Sequence, residues 1–209
     1  MGLIKKEDQA TYAIILSDGS IRIKTDESDP EAKRRDYETS TGETGVKFER
    51  VYQSISGKIT GIELIDGNFG VNLNISLKDG EDEYKLSVGT NTTFGEDIMK
   101  KLPNINLNEE VSFAPYSFTD DKGKNRRGVT VMQNEVKIKN FFVGEDGKEL
   151  INGMPAPEGD TSKFNSNKWK IYFMLVNEFL QAYIKDNVVP KLVLTGEVVD
   201  EVGGEKIDF

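Results

Sequence analysis

Ser54-Ile55-Ser56-Gly57-Lys58-Ile59-Thr60-Gly61-Ile62-Glu63-Leu64-Ile65, a turn at Asp66-Gly67-Asn68, then Phe69-Gly70-Val71-Asn72-Leu73-Asn74-Ile75-Ser76-Leu77: this stretch decides the fold. In its second half Phe69, Val71, Leu73, Ile75 and Leu77 alternate with small or polar residues. A period of two puts all five on one face of a half-buried strand. In the first half the apolar face changes register near Gly61, as at a β-bulge, and Gly57 and Gly61 suit a strand that must bend.

Toward the C-terminus, Asp79-Gly80-Glu81-Asp82 is a turn into a third strand, Glu83 to Val88, with Tyr84, Leu86 and Val88 on one face. Thr93-Phe94-Gly95-Glu96 has the capping-box spacing, with Thr93 as the cap. Phe94, Ile98 and Leu102 then recur four apart until Pro103, which predicts a short helix. Two more strands, Val111 to Phe118 and Gly128 to Gln133, close a block that ends near Val136. The order strand, strand, strand, helix, strand, strand resembles the OB-fold, a five-stranded Greek-key barrel that binds oligonucleotides over strands two and three, helped by loops after strands one and four. The resemblance is one of pattern and covers the central block alone. Phe69 and Tyr84 alternate with apolar residues and are expected in the core.

Before the block, Tyr12 to Leu16 and Ile21 to Lys24 flank Ser17-Asp18-Gly19-Ser20 and predict a β-hairpin. Asp26 to Asp36 reads as a charged linker or short helix, Glu38 to Gly45 as a mobile loop, and Val46 to Tyr52 as a strand feeding the block. After it, Glu135 to Val143 continues the last strand or forms another. Asn152 to Thr161, with two Pro and two Gly, is a loop. From about Ser166 to Asn187 the apolar residues Trp169, Phe173, Val176, Leu180 and Tyr183 or Ile184 fall three or four apart, an amphipathic helix stopped by Pro190. Packing onto the barrel accounts for that stripe, with a homodimer contact as the alternative use.

The expected fold is therefore mainly β: a five-stranded OB barrel at 54–150, with an N-terminal hairpin and mobile loop at 1–53. One short helix lies between strands three and four, a loop and C-terminal amphipathic helix occupy 151–195, and an acidic tail occupies 196–209.

Composition narrows function. The 209 residues include neither Cys nor His, which removes disulfides, thiolate metal sites, the usual general base and the commonest metal ligand. No P-loop or dinucleotide fingerprint occurs, and Asp79 to Glu83 lacks EF-hand spacing. An enzyme is not expected, and no cofactor or metal. Nothing approaches eighteen consecutive apolar residues and the N-terminus lacks the layout of a signal peptide, so the expected location is the cytoplasm, of a host cell if the chain is phage-encoded, with no membrane partner. Net charge is −9, from 27 basic and 36 acidic residues. That sum disfavours nucleic acid, yet the charges are segregated. Basic clusters stand at Lys33 to Arg35 and Lys122 to Arg127, acidic ones at Asp26 to Glu31, Asp79 to Glu83 and the C-terminus.

The last fourteen residues hold five carboxylate side chains against one Lys and stop at Phe209. An apolar ring beside a terminal carboxylate suits capture by an apolar pocket with a basic rim. With the barrel pattern, this tail resembles that of single-stranded DNA-binding proteins, whose OB-folds carry an acidic tail ending in Phe. The ending Ile207-Asp208-Phe209 lacks the Asp-Ile-Pro-Phe of the bacterial type and is closer to the phage type. The resemblance implies sequence-independent binding of single-stranded DNA in replication, recombination and repair. It also implies that replication and recombination proteins are recruited through Asp200, Glu201, Glu205, Asp208 and Phe209.

Strand binding asks for cations along a phosphate track and aromatic faces for bases. The loop after strand four offers Lys122, Lys124, Arg126 and Arg127, and Tyr116 and Phe118 lead into it. Tyr84 and Lys85 open strand three, and Arg22, Lys24, Lys47, Arg50 and Tyr52 interleave basic and aromatic residues upstream. A virion assembly protein, such as a baseplate or tail component using a barrel to oligomerise, is the alternative of another class, and an RNA-binding barrel a third reading.

Overall fold

The computed structural model describes residues 10–39 and 41–196. The chain is mainly β. Ten strands form one open sheet, not the closed five-stranded barrel expected: β1 Thr11–Ile15, β2 Ile21–Lys24, β3 Lys33–Glu38, β4 Thr44–Tyr52, β5 Ile55–Gly67, β6 Gly70–Asp79, β7 Asp82–Gly89, β8 Glu110–Thr119, β9 Asn125–Gln133 and β10 Val136–Lys137. Three α-helices accompany them among the described residues, α1 Thr93–Lys101, α2 Ser166–Asn187 and α3 Val189–Gly196. The sheet order is β10-β9-β8-β5-β6-β7-β1-β2-β4-β3.

The central strands form for the reasons their sequence suggests. Leu73, Ile75 and Leu77 of β6 are fully buried and meet Leu86 and Val88 of β7 and Ile59 and Ile62 of β5. Each such side chain contributes roughly 1.5–3 kcal/mol by leaving water. The β5–β6 register slips between Ile59 and Gly61, the bulge that the sequence marks. At Gly57, φ is +154° and an added Cβ would stand 2.8 Å from the Lys78 carbonyl oxygen, so the strands approach too closely for a side chain there.

Three departures extend the sheet. Lys33 to Glu38 is neither linker nor helix but strand β3, paired with β4 from Lys33↔Glu49 to Glu38↔Thr44, and beyond it the Thr39 amide donates to the Glu43 carbonyl. Buried Glu49 ties this strand in, because among the described residues it is satisfied by the guanidiniums of Arg35 and Arg22. The second departure is β1, which pairs in parallel with β7 and antiparallel with β2, so the hairpin joins the central sheet. Third, β9 starts at Asn125, which places Arg126 and Arg127 in the strand and not in the preceding loop.

The part of the outer edge of β9 that β10 does not pair is covered by α1. Asp97 Oδ2 accepts from the Val129 amide at 2.7 Å, and Lys101 Nζ donates to the Val129 carbonyl at 2.5 Å and to Asp97 at 2.8 Å. Val129 faces Pro115 of β8 as a non-hydrogen-bonded pair, so its N–H and C=O both point to the outer edge and the missing N–H of Pro115 costs no ladder bond. The cap of α1 is Thr92, one residue earlier than the capping-box reading: its hydroxyl accepts from the Gly95 amide at 3.1 Å.

Buried Val176, Leu180 and Ile184 hold α2 to the core, and Phe142 fills the gap with its ring edge-on to Phe179 at 5.5 Å and Tyr183 at 4.9 Å. Asn177 Nδ2 donates to the Thr90 carbonyl at 2.6 Å and Gln181 Nε2 to the Thr90 hydroxyl at 3.1 Å, which pins the helix to the corner after β7. Pro190 does not end the helical region: it sits in the first turn of α3, where its missing N–H costs nothing. No helix of the described residues is long and apolar enough to cross a membrane.

Candidate nucleic-acid interface

Alternation along the β8–β9 hairpin sorts its side chains onto two faces. Val111, Phe113 and Pro115 point inward with Val129 and Val131. Tyr116 and Phe118 point outward, 38% and 56% exposed, with ring centroids 5.8 Å apart. Across the ladder Phe118 faces Arg126, Tyr116 faces Gly128 and Ala114 faces Thr130. Gly128 leaves room for the tyrosine: an added Cβ would lie 2.6 Å from its hydroxyl oxygen. Asn134 and Glu135 both have positive φ, a tight hairpin turn that folds β10 back along β9 and sets Lys137 opposite Met132. Tyr116, Phe118, Asp120, Arg126, Thr130 and Lys137 thus line an open groove of about 520 Å³.

The turn at the groove's end is built around Asp120. Its Oδ1 accepts from the amides of Lys122 and Lys124 at 3.0 and 2.8 Å, and its Oδ2 from Arg126 Nε at 2.9 Å. These bonds, that from the Lys124 amide foremost, hold the Asp120 carboxyl below its ordinary pKa. The guanidinium is thereby fixed at one nitrogen while its other N–H groups stay available. Among the described residues, the side chains of Lys122, Lys124 and Lys137 are exposed and make no ion pair. Arg127 points to the other side of the hairpin, its Nε donating to Ser117 Oγ at 3.3 Å, and lines a separate cleft with Leu16 and Phe94.

No family model, curated protein or solved structure matches the chain. The residues carry the argument by themselves.

The other sequence-predicted residues are placed elsewhere. Arg22 is bonded to Asp18 at 3.1 Å and Glu49 at 3.3 Å. Arg50 is bonded to Asp29 at 2.6 Å and Glu31 at 3.5 Å. Arg35 holds Glu49 through two nitrogens at 2.8 and 2.7 Å. Lys85 pairs with Glu63 at 3.0 Å and lies 5.8 Å from the Tyr12 ring, and Lys47 lies 4.6 Å over Tyr37. Lys24 is exposed at the end of β2. Tyr52 and Tyr84 share a small pocket of about 180 Å³ between β2 and β7, with Tyr84 packed partly against the core. Asp200, Glu201, Glu205, Asp208 and Phe209 lie outside the described residues.

Two residues correct the sequence reading. Phe69, expected in the core, is 93% exposed at the tip of the β5–β6 turn, because Asn68-Phe69 is the turn itself and the alternation starts only at Val71. Lys137 was not singled out, although the Asn134 preceding it is among the residues that favour the left-handed turn conformation.

Proposed function

We propose that this protein binds single-stranded nucleic acid, DNA by the resemblance of its C-terminal tail, without sequence selection, along the outer face of β8, β9 and β10. The carrying observation is the groove in which Tyr116 and Phe118 stand half-exposed beside Arg126 and Lys137. Two adjacent rings offer stacking to successive bases, at roughly 1–3 kcal/mol each, and the flanking cations reach phosphates. Neither ring is needed for the core, and burying neither leaves exposed aromatic surface that a ligand would cover. On this reading β5 to β9 are an opened OB-type arrangement, with β1 beside β7 where a closed barrel would bring its last strand. The acidic tail, read from sequence alone, recruits replication and recombination proteins through Phe209.

Titration of a labelled oligo-dT across a salt series tests this. Tight binding at low salt is expected, weakening by a slope of about −0.7 for each phosphate contact, so about −3 for Lys122, Lys124, Arg126 and Lys137 together. Absence of binding at low salt sinks the proposal, and large assemblies indifferent to the oligonucleotide favour the virion reading. Competition with a matched RNA decides between DNA and RNA. Deleting 197–209 should leave oligonucleotide binding intact or stronger.

A further inference from the structure

The sheet is open in its hydrogen bonding, and across the opening the turn between β1 and β2 touches β8. Strand β8 pairs with β5 only from Glu110 to Phe113, and no described strand pairs with that edge further along. Ser117 lies two residues beyond Pro115 in an unbroken register with β9, so it too is a non-hydrogen-bonded position and turns its N–H and C=O to the bare edge. The β1–β2 turn sits there. A Cβ added at Gly19 would stand 2.8 Å from the Ser117 nitrogen and the Tyr116 carbonyl carbon, and 3.0 Å from the Tyr116 Cα. Gly19 also has a φ of +79°, so both the approach and the conformation ask for glycine.

The turn is rigid within itself. Leu16 N donates to the Ser20 carbonyl at 3.0 Å and Gly19 N to the Leu16 carbonyl at 2.9 Å, while Asp18 Oδ1 accepts from the Ser20 amide and hydroxyl at 2.9 and 2.6 Å. Among the described residues no hydrogen bond joins residues 17–20 to β8. Behind the turn lies a cleft of about 330 Å³, bordered by Leu16, Ser17, Phe94 and Arg127. Its seat on β8 is therefore a contact of backbone on backbone, kept by shape and not by bonding. One of the two residues it presses on is Tyr116, a wall of the strand groove.

We infer that Gly19 is a positioning residue for that groove: the β1–β2 turn, seated on the backbone of Tyr116 and Ser117, fixes where the Tyr116 ring stands beside Phe118. The inference rests on the groove being the strand-binding site. Any side chain at position 19 lifts the turn into the cleft behind it and frees the Tyr116 backbone. Rings that stack successive bases deliver their full contribution only when their spacing is held.

Two glycines of like strain separate the seat from the strain. Gly80, in the turn between β6 and β7, has a φ of +60° and nothing within 4 Å of an added Cβ. Gly19→Ala and Gly80→Ala share the left-handed conformation, and only the first meets β8. In oligo-dT titrations well below melting, with folding verified by circular dichroism, Gly19→Ala should bind about tenfold more weakly with an unchanged salt slope, and Gly80→Ala as wild type. The Tyr116 and Ser117 amide signals in two-dimensional NMR should move in Gly19→Ala alone, a readout independent of binding. If Gly19→Ala does not fold, Asp18→Ala and Asp18→Asn replace it. Both lose the Arg22 ion pair and carry the same charge, but only Ala loses the bonds to Ser20, so it should bind more weakly than Asn. Wild-type affinity in Gly19→Ala, or equal losses in both glycine variants, overturns the positioning role, and unmoved amide signals overturn the seat. A wild type that binds no oligonucleotide sinks the groove reading and the positioning role with it, whereas moved signals would still establish the seat.

Discussion

The four-stranded N-terminal part of the sheet and the β8–β9–β10 face are built from the same kinds of residue and differ in what the cations face. Arg22, Arg35 and Arg50 are each matched to carboxylates of their own region, and Glu49, 3% exposed, holds two of them at once. Around Tyr116 and Phe118, Asp120 engages one nitrogen of Arg126, and among the described residues the ammonium groups of Lys122, Lys124 and Lys137 make no ion pair. A cation already bonded to a buried carboxylate organises strands. One left facing an open groove with two aromatic rings is available to an external anion. Sequence clusters of Arg, Lys and Tyr do not separate these roles; the position of the acids does.

The two regions should differ most at their aromatic rings. Replacing Tyr116 and Phe118 together by Ala should weaken oligo-dT binding by about 4 kcal/mol, near a thousandfold, with an unchanged melting curve. Replacing Tyr52 and Tyr84 should leave affinity within a few-fold; equal losses from the two pairs would erase the distinction. Next in size, Glu49→Ala should destabilise the fold by about 3 kcal/mol, measured by urea denaturation, since it leaves the Arg35 guanidinium without its carboxylate and Arg22 with Asp18 alone. Oligonucleotide affinity of the folded fraction should not change.

A smaller effect comes from single cations of the groove. Arg126→Ala and Lys137→Ala should each reduce affinity a few-fold and flatten the salt slope by about 0.7, while Arg50→Ala leaves the slope as it is. The smallest is a pH effect. Hydrogen bonds from Arg35, then Arg22, hold the Glu49 carboxyl below its ordinary value despite opposition from burial. The pairing therefore stabilises fully above the unfolded pKa, about 4.3, and is lost as pH falls through the depressed folded value. Melting curves of wild type and Glu49→Gln should differ by several degrees at pH 7 and converge in acid. A constant gap from pH 7 to pH 2 would show that Glu49 acts by shape and not by charge.

Much of this was legible along the chain. Leu73, Ile75 and Leu77 declared a strand by their period, Asp18-Gly19 declared the first hairpin turn, and Tyr116, Phe118 and Arg126 stood close enough in sequence to be read together. Phe69 was misread because a period of two extends formally through a turn whose residues have left the sheet. The pairing of Arg22 with Glu49 spans 27 residues, and no local pattern announces it.

Local spacing is enough to make the chain mainly β and to say which residues alternate between faces, because a strand's side-chain period is a property of neighbouring residues alone. Composition leaves no His or Cys chemistry available. Long-range packing, not local spacing, joins the ten described strands in one open sheet and sets β1 beside β7. The same holds for the carboxylates that neutralise Arg22, Arg35 and Arg50, and for the return of Lys137 to the side of Tyr116 and Phe118. Those outcomes rest on contacts between residues far apart in the chain, where competing partners are compared by burial and charge and not by spacing.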